Sequence, residues 1–373
     1  MRRRNGSLRS GRRIGTSAAT PDLTRRDPLI ERKSAWQTLL PIGLVALAGC
    51  YVFSRRTRRY DSIDPELRSP GWRVRSPSLG PRLLPIARWA TRAITPVHDP
   101  RAEGVDIECI GLPRADGSTL AIYLYHPHRR RRGGAALMHS HGGGLVMGSA
   151  PEHHPRAAAY ARDLGALVAS VDYRLAPENP YPAALDDIHA AYRWLLSEAG
   201  RLGIDPSRIA VGGDSAGGGL TASLCQRILD AGDRAPVLQI LVYPMLDDRT
   251  GRCGDESIQG QLVWTPASNR FGWMSYLGGQ PTGDALPEHA VPARRRDLTG
   301  LPPAWIGVGT LDLFHDEDLE YGRRLKAAGV RCEIIAVEGA FHGFDAMFPN
   351  TAITRAFRAD MVAAFERATH GDA

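Results

Sequence analysis

From Val105 to the C-terminal end, short apolar runs typical of strands alternate with longer stretches of helical periodicity. The predicted strands are 105–111, 120–125, 135–139, 167–171, 209–212, 239–243, 304–309 and 332–337. The predicted helices are 155–163, 183–197, 215–231, 317–328 and 352–368. A turn around Gly117 joins the first two strands and predicts an antiparallel start. The later alternation predicts an α/β fold with a mostly parallel central sheet of about eight strands and helices on both faces.

A serine stands at one strand-to-helix turn of this alternation. In the run Gly213-Asp214-Ser215-Ala216-Gly217, a predicted strand comes before and a predicted helix follows. Glycines two residues before and two after the serine leave room for a strained turn that exposes its hydroxyl. The helix start offers free N–H groups and the positive end of its dipole to an oxyanion. Ser215 is therefore the predicted nucleophile, and a glycine-rich connection without chemistry is the alternative.

A serine nucleophile needs a general base, which is usually a histidine oriented by a carboxylate. Where the serine occupies such a turn, the acid and then the histidine follow it in the chain. The histidines after Ser215 are His289, His315, His342 and His370. His342 follows the last predicted strand in a glycine-flanked loop, and Asp312 comes three residues after the strand 304–309. We predict His342 as the base and Asp312 as its orienting acid. We expect the next helix to be capped by Asp316, Glu317 and Asp318.

The run His141-Gly142-Gly143-Gly144 follows the third predicted strand. Consecutive glycines let backbone N–H groups point into a site at this end of the sheet, which suits the stabilisation of an oxyanion. The predicted donors are the N–H groups of Gly143, Gly144 and Ala216. A metal-binding pair of His139 and His141 is the alternative, but no further ligands lie near it in the sequence. No metal or organic cofactor is expected.

Two segments are predicted to lie outside the sheet. Residues 61–104 precede the first strand and contain one helical patch, 83–94. Residues 244–300 interrupt the alternation and contain aromatic residues in two runs. A stretch of this length without a strand is typical of an insertion, and an apolar cover excludes water from a site. We predict that both segments are elements of a helical lid. A linker and an ordinary surface helix are the alternatives.

Five motifs occur in order across roughly residues 100–368: His141-Gly-Gly-Gly144, Tyr173-Arg-Leu-Ala-Pro-Glu178 with Tyr181-Pro-Ala-Ala184, Gly213-Asp-Ser-Ala-Gly-Gly218, Gly309-Thr-Leu-Asp312 with Asp316-Glu317, and Phe341-His-Gly-Phe344. In these motifs the chain resembles the hormone-sensitive-lipase-like carboxylesterases of the α/β-hydrolase fold, in their GDSAG-type branch. The resemblance implies esterase activity on short to medium acyl esters. It also implies a lid formed by the two segments named above. Within the second motif, we expect Arg174 and Glu178 to form a buried pair beside the site.

The basic character of the chain belongs to its N-terminal end. Residues 1–60 hold 14 Arg or Lys and 3 Asp or Glu, a net charge of +11, whereas the whole chain carries +7 and the remainder therefore −4. A mildly acidic body argues against nucleic acid as a partner. Residues 1–35 show no apolar periodicity and are predicted to be a disordered tail. Residues 54–373 are predicted to form the catalytic domain.

Residues 36–53 contain no charged side chain and have basic residues on both flanks. A helix of this length spans about 27 Å, close to the bilayer core of about 30 Å. A single membrane anchor is the favoured interpretation, with Trp36 and Tyr51 at the two interfaces. The alternatives are a signal peptide cleaved after Ala48, a lipoprotein box ending at Cys50, and a buried helix of a cytoplasmic protein.

Together these expectations form one hypothesis of function. The chain is predicted to be a serine carboxylester hydrolase that cleaves small-molecule esters through an acyl-enzyme intermediate. Two alternatives stay open, an acyltransferase that uses the same three side chains and a ligand-binding member of the fold without turnover. The sequence leaves the oligomeric state undetermined.

Overall fold

The structure is a computed structural model that describes residues 60–69, 76–94, 104–130, 134–251, 259–260, 262–279 and 286–370. The predicted tail, residues 1–35, and the predicted membrane anchor, residues 36–53, lie outside the described residues. Within the described ranges, no helix combines the length and the apolar character needed to cross a membrane.

In the part of the chain that the structure describes, eight strands form one sheet: Val105–Pro113 (β1), Thr119–Pro127 (β2), Ala136–Ser140 (β3), Leu167–Asp172 (β4), Ile209–Asp214 (β5), Gln239–Val242 (β6), Ala304–Gly309 (β7) and Cys332–Val337 (β8). Their order across the sheet is β1-β2-β4-β3-β5-β6-β7-β8. β2 is antiparallel to both β1 and β4, and all other neighbours are parallel. The predicted sheet of about eight strands with an antiparallel start is confirmed.

The helices are Leu84–Ile94 (α1), His154–Leu164 (α2), Ala183–Ser197 (α3), Ala199–Leu202 (α4), Ala216–Ala231 (α5), Pro266–Tyr276 (α6), His315–Ala327 (α7), Phe344–Met347 (α8) and Ala352–His370 (α9). Alternate residues of the strands belong to two separate clusters of buried side chains, for example Met138 to one and Leu137 to the other. The first cluster includes side chains of α3, α5 and α7, and the second includes side chains of α2 and α9. Helices therefore cover both faces of the sheet. This is why every residue of β3, β5 and β7 is buried.

The strand register brings the functional loops together. Ser140 of β3 lies opposite Gly213 of β5, and Gly309 of β7 lies opposite Val337 of β8. The loops that follow β3 and β5 therefore leave the sheet side by side, as do the loops that follow β7 and β8. All four leave from the carboxyl ends of parallel strands, where sheets of this kind place their ligands.

Candidate active site

Ser215 occupies the turn between β5 and α5 in a backbone conformation that non-glycine residues rarely adopt. Its φ is 55° and its ψ is −119°. Gly217 shows why a neighbouring glycine is required, because a Cβ atom there would lie 2.1 Å from the carbonyl oxygen of Ser140. The first turn of α5 therefore packs directly on the end of β3. This packing holds the Ser215 side chain at the carboxyl edge of the sheet.

The structure brings Ser215, His342 and Asp312 into one chain of hydrogen bonds. The Oγ atom of Ser215 lies 2.9 Å from Nε2 of His342, and Nδ1 of His342 lies 2.8 Å from Oδ2 of Asp312. Asp312 is fully buried, and its Oδ1 accepts the N–H of Phe314 at 3.0 Å. Because a carboxylate only accepts hydrogen bonds, Nδ1 of His342 carries the proton. Nε2 is then free to accept the proton of the serine hydroxyl.

Two aromatic rings fix the plane of the His342 imidazole. The ring of Tyr243 lies 4.8 Å from it at an interplanar angle of 62°, and the ring of Phe314 lies 5.2 Å from it at 84°. Both are edge-on contacts, which aromatic pairs prefer. The imidazole is therefore held by packing as well as by its two hydrogen bonds.

The glycine run after β3 faces the serine. The N–H groups of Gly143, Gly144 and Ala216 donate no hydrogen bond to any other residue within the described ranges. Gly144 has a φ of +61°, and a Cβ atom there would lie 2.1 Å from the ring of Trp264. Ala216 is the first residue of α5, where backbone N–H groups have no partner inside the helix. The three N–H groups are thus available to a ligand beside Ser215.

His139 and His141 have different partners. Nε2 of His139 lies 2.8 Å from Oδ2 of Asp214. The buried ring of His141 stacks on Tyr173, with the ring centroids 4.2 Å apart, and its Nδ1 donates to the carbonyl of Gly142. Burial, and then the nearby His153, lowers the pKa of His141 well below its ordinary value, so this ring is neutral at neutral pH. His141 therefore supports the glycine run by packing.

Ser215, His342 and residues 142–144 line a cavity of about 540 Å³. This volume lies within the range of small-molecule sites, roughly 300–1,000 Å³. Its apolar wall includes Leu79, Leu83 and Ile86 from the segment before β1. Val263 and Trp264 contribute from the insertion that follows β6.

The two segments that form this wall are joined to each other by hydrogen bonds. The N–H of Val263 donates to Ser76 Oγ at 2.8 Å, and the N–H of Leu79 donates to Ser268 Oγ at 2.8 Å. The hydroxyl of Thr265 lies 3.0 Å from that of Ser78. Residues far apart in the sequence therefore make one continuous cover over the cavity.

A buried polar cluster behind Ser215 was not predicted from the sequence. Asp214 accepts a hydrogen bond from the Tyr160 hydroxyl at 2.9 Å and from Arg156 Nη2 at 2.8 Å, in addition to its contact with His139. Burial by itself raises the pKa of Asp214, but the charges of Arg156 and then His139 outweigh burial and hold it well below its ordinary value. The sequence does contain a signal for this cluster. Asp214 ends a buried strand, and a carboxylate buried there requires a cationic partner.

The predicted pair of Arg174 and Glu178 is wrong. Arg174 binds Asp187 instead, through Nε at 3.0 Å and Nη2 at 2.9 Å. Glu178 is 58% exposed and receives the guanidinium of Arg88 from α1. The physical reason is that Asp187 is buried in the first half of α3 and needs cationic partners, whereas Glu178 faces solvent.

The acids of the first turn of α7 also differ from the expected caps. The N-cap of this helix is Phe314, which makes no side-chain capping bond. Asp316 is exposed. Oε1 of Glu317 accepts a hydrogen bond at 2.6 Å from the N–H of Leu246, which lies outside this helix. Asp318 is fully buried, with no hydrogen-bond partner for either carboxylate oxygen in the part of the chain that the structure describes. Burial raises the pKa values of Glu317 and Asp318 well above their ordinary range.

Comparisons with known proteins find similar hydrolases and esterases. A family model described as the alpha/beta hydrolase fold matches residues 137–346. Carboxylesterase NlhH of Mycobacterium tuberculosis is 39% identical over 234 residues, which cover 61% of this chain and 72% of the relative. An ethyl acetate hydrolase of Pseudomonas putida is 35% identical over 245 residues, which cover 64% of this chain and 75% of the relative. Among solved structures, a bacterial heroin esterase has a TM-score of 0.75 at 34% identity, covering 83% of this chain and 99% of its own.

The family model spans more than half of the chain, and the relatives carry the names of esterases. The residues that the family model matches include Ser215, His342 and the glycine run 142–144. The chain therefore belongs to the α/β-hydrolase family, in its hormone-sensitive-lipase-like carboxylesterase branch, and is a serine hydrolase of the carboxylesterase and lipase type.

Proposed function

We propose that the protein hydrolyses short- to medium-chain carboxylic esters through an acyl-enzyme formed on Ser215. His342 takes the proton of the Ser215 hydroxyl as the oxygen attacks the ester carbonyl, and Asp312 stabilises the imidazolium that results. His342 then gives the proton to the departing alcohol. Water repeats the same steps on the acyl-enzyme and releases the acid.

The observation that carries this proposal is the unbroken path from Asp312 through His342 to Ser215, which ends in the cavity. Both hydrogen bonds are within reach of proton transfer, at 2.8 and 2.9 Å. Asp312 is fully buried, whereas Ser215 and His342 line the cavity. The proton therefore moves at the cavity wall, and the carboxylate that orients the imidazole is shielded from water.

The tetrahedral intermediate carries a negative oxygen that needs donors. We assign this role to the N–H groups of Gly143, Gly144 and Ala216, because they have no other partner within the described ranges. They belong to fixed backbone, so they do not reorganise during the reaction. The loss of one such donor typically lowers turnover by about 10²–10³.

The wall of the cavity sets the class of substrate. Its apolar side chains accept an acyl or alcohol group without charge, and the charged side chains that also line it, Arg156 and Asp214, are paired with each other. The relative from Pseudomonas putida is named for ethyl acetate, so acetyl esters are the first substrates to test. We also propose that residues 76–94 and 262–276 act as the lid over this site, on the basis of the hydrogen bonds that join them.

The test uses the purified full chain with p-nitrophenyl esters of two to twelve carbons. Ser215→Ala is the test variant, and Ser223→Ala is its matched control because Ser223 is a buried serine of α5, the helix that Ser215 precedes. We expect Ser215→Ala to lose at least about 10³-fold in kcat, whereas Ser223→Ala keeps the wild-type rate. A fall in rate with increasing acyl length would then give the size of the pocket.

Hydrolysis that survives in folded Ser215→Ala would refute the assignment of the nucleophile. Adding an alcohol to the assay and analysing the products separates hydrolysis from acyl transfer, because a transferase would form the new ester in preference to the acid. A folded wild-type protein that turns over none of these esters, and that a fluorophosphonate does not label, would favour the ligand-binding alternative.

A further inference from the structure

Arg156 is a buried cation that the proposed chemistry does not use directly. It lies in the first turn of α2, and its side chain is 9% exposed. Its Nε atom lies 2.7 Å from Oδ2 of Asp214, and Nη2 donates to Oδ1 of Asp214 at 2.8 Å. The Nη2 contact is a hydrogen bond, whereas the Nε contact is a close ion pair without hydrogen-bond geometry, so two nitrogen atoms of the guanidinium face the same carboxylate.

The same guanidinium reaches a second buried carboxylate. Its Nη1 atom lies 2.9 Å from Oδ2 of Asp345, which is 1% exposed. The other oxygen of Asp345 accepts the hydroxyl of Tyr243 at 2.8 Å, and Nη2 of Arg156 lies 3.1 Å from that hydroxyl. Arg156, Asp214, Asp345 and Tyr243 therefore form a closed buried network.

The positions of the two carboxylates in the chain connect this network to the catalytic side chains. Asp214 directly precedes Ser215, and Asp345 comes three residues after His342. The Tyr243 ring in addition packs edge-on against the His342 imidazole. One side chain from α2 is thus bound to the end of β5, next to Ser215, and to α8, which follows His342. The separation of these two segments sets the 2.9 Å distance between Ser215 and His342.

We propose that Arg156 is a positioning residue that holds the loop of Ser215 and the loop of His342 at the separation that proton transfer requires. The inference rests on the proposed catalytic roles of Ser215 and His342. Arg156 itself makes no contact with either reacting atom, so it acts through Asp214 and Asp345. Charge supports the same conclusion, because two carboxylates this deeply buried require a cation between them.

Lysine cannot replace this arrangement. Its ammonium is a single point of charge on a flexible stem, whereas the guanidinium binds Asp214 with two nitrogen atoms and Asp345 with a third. Arg156→Lys keeps the positive charge but has one nitrogen atom in place of three. It cannot hold both carboxylates in fixed positions, so the two loops are free to move apart. A misplacement of about 1 Å between reacting groups can cost about 100-fold in rate.

The experiment compares Arg156→Lys with Arg294→Lys in the full chain. Arg294 is the matched control because it also binds a buried carboxylate, Asp248, with two nitrogen atoms, at 2.8 and 3.1 Å, but does not line the catalytic cavity. We expect Arg156→Lys to lower kcat by about 10- to 100-fold with little change in KM, and to slow fluorophosphonate labelling of Ser215 in parallel. Arg294→Lys should keep the wild-type kcat and labelling rate, even if its melting temperature falls as far as that of Arg156→Lys.

A second variant keeps the test decisive if Arg156→Lys does not fold. Asp345→Asn removes only the charge that ties Arg156 to the His342 loop, and we expect it to lower kcat by about tenfold at unchanged KM. Wild-type kcat in folded Arg156→Lys, or in Asp345→Asn when the lysine variant does not fold, would overturn the inference. Equal losses in Arg156→Lys and Arg294→Lys would also overturn it, because they would show a role in stability alone. Ester hydrolysis that persists in Ser215→Ala, measured alongside, would instead refute the proposed function on which the inference rests.

Discussion

Asp318 offers a test of how burial acts on a carboxyl group in this fold. It is fully buried, and neither of its oxygens has a hydrogen-bond partner within the described ranges. Burial, followed by the charges of Glu317 and Asp312, raises its pKa well above the ordinary value. The folded protein therefore keeps Asp318 protonated at a pH where the unfolded chain has already lost that proton.

The sign of the pH dependence follows from this difference. Stability rises with pH where the unfolded state binds more protons, and at Asp318 the folded state binds more. The wild type therefore loses free energy of unfolding, at a rate of up to about 1.4 kcal/mol per pH unit, from the unfolded pKa of about 4 up to the folded pKa of Asp318. Asp318→Asn has no proton to lose, so it escapes this penalty.

The assay is urea unfolding of the wild type and Asp318→Asn between pH 4.5 and 8. We expect the advantage of the variant in free energy of unfolding to grow with pH and to level off at the folded pKa of Asp318. Glu320→Gln is the control, because Glu320 is on the same helix but 53% exposed, and its hydrogen bond with Arg323 lowers its pKa, so this variant should gain no stability relative to the wild type as the pH rises. An advantage of Asp318→Asn that stays constant over this range would refute the reasoning.

Two further substitutions test the geometry of the site. Asp312→Asn replaces one carboxylate oxygen with an NH2 donor, so the side chain no longer fixes the tautomer of His342 with both of its acceptors in place. We expect kcat to fall by roughly 10⁴-fold while KM changes little; a loss of less than tenfold in steady-state kinetics would contradict the role of Asp312. Gly217→Ala places a Cβ atom 2.1 Å from the backbone oxygen of Ser140, so the turn must shift. We expect a lower melting temperature and loss of fluorophosphonate labelling, and normal labelling of a fully stable variant would show that the turn tolerates the group.

The sequence predicts the elements of this fold better than their arrangement. Each of the eight predicted strands is present. Strands of a parallel sheet are buried on both faces, so they stand out in the sequence as apolar runs between helical stretches. The position of β4 between β2 and β3 was not predicted. Strand order depends on which edges pair after the chain crosses the sheet, and the composition of a strand carries no such information.

The polar partners show the same limit. Ser215, Asp312 and His342 were selected by their place after a strand, and the structure brings them within hydrogen-bonding distance. Arg174 and Glu178 belong to one motif of the sequence, but an ion pair follows burial in three dimensions, and both residues have other partners.

Asp318 was expected at a helix cap from its position in the first turn of α7. It recurs at helical spacing with the buried Tyr321 and Leu325, so it shares their inward face. The helical spacing of Asp318 from two buried residues is therefore a better guide to its burial than its position in the first turn.

In the proposed reaction the acyl group passes through Ser215, and trapping that acyl-enzyme is its most direct test. The full chain would be mixed with p-nitrophenyl acetate, stopped with acid within milliseconds, digested and analysed by peptide mass spectrometry. We expect a burst of p-nitrophenol and an acetyl group on the peptide that contains Ser215, with both absent from Ser215→Ala. Acetylation of another residue at the rate of the burst, or an unchanged burst in Ser215→Ala, would contradict it.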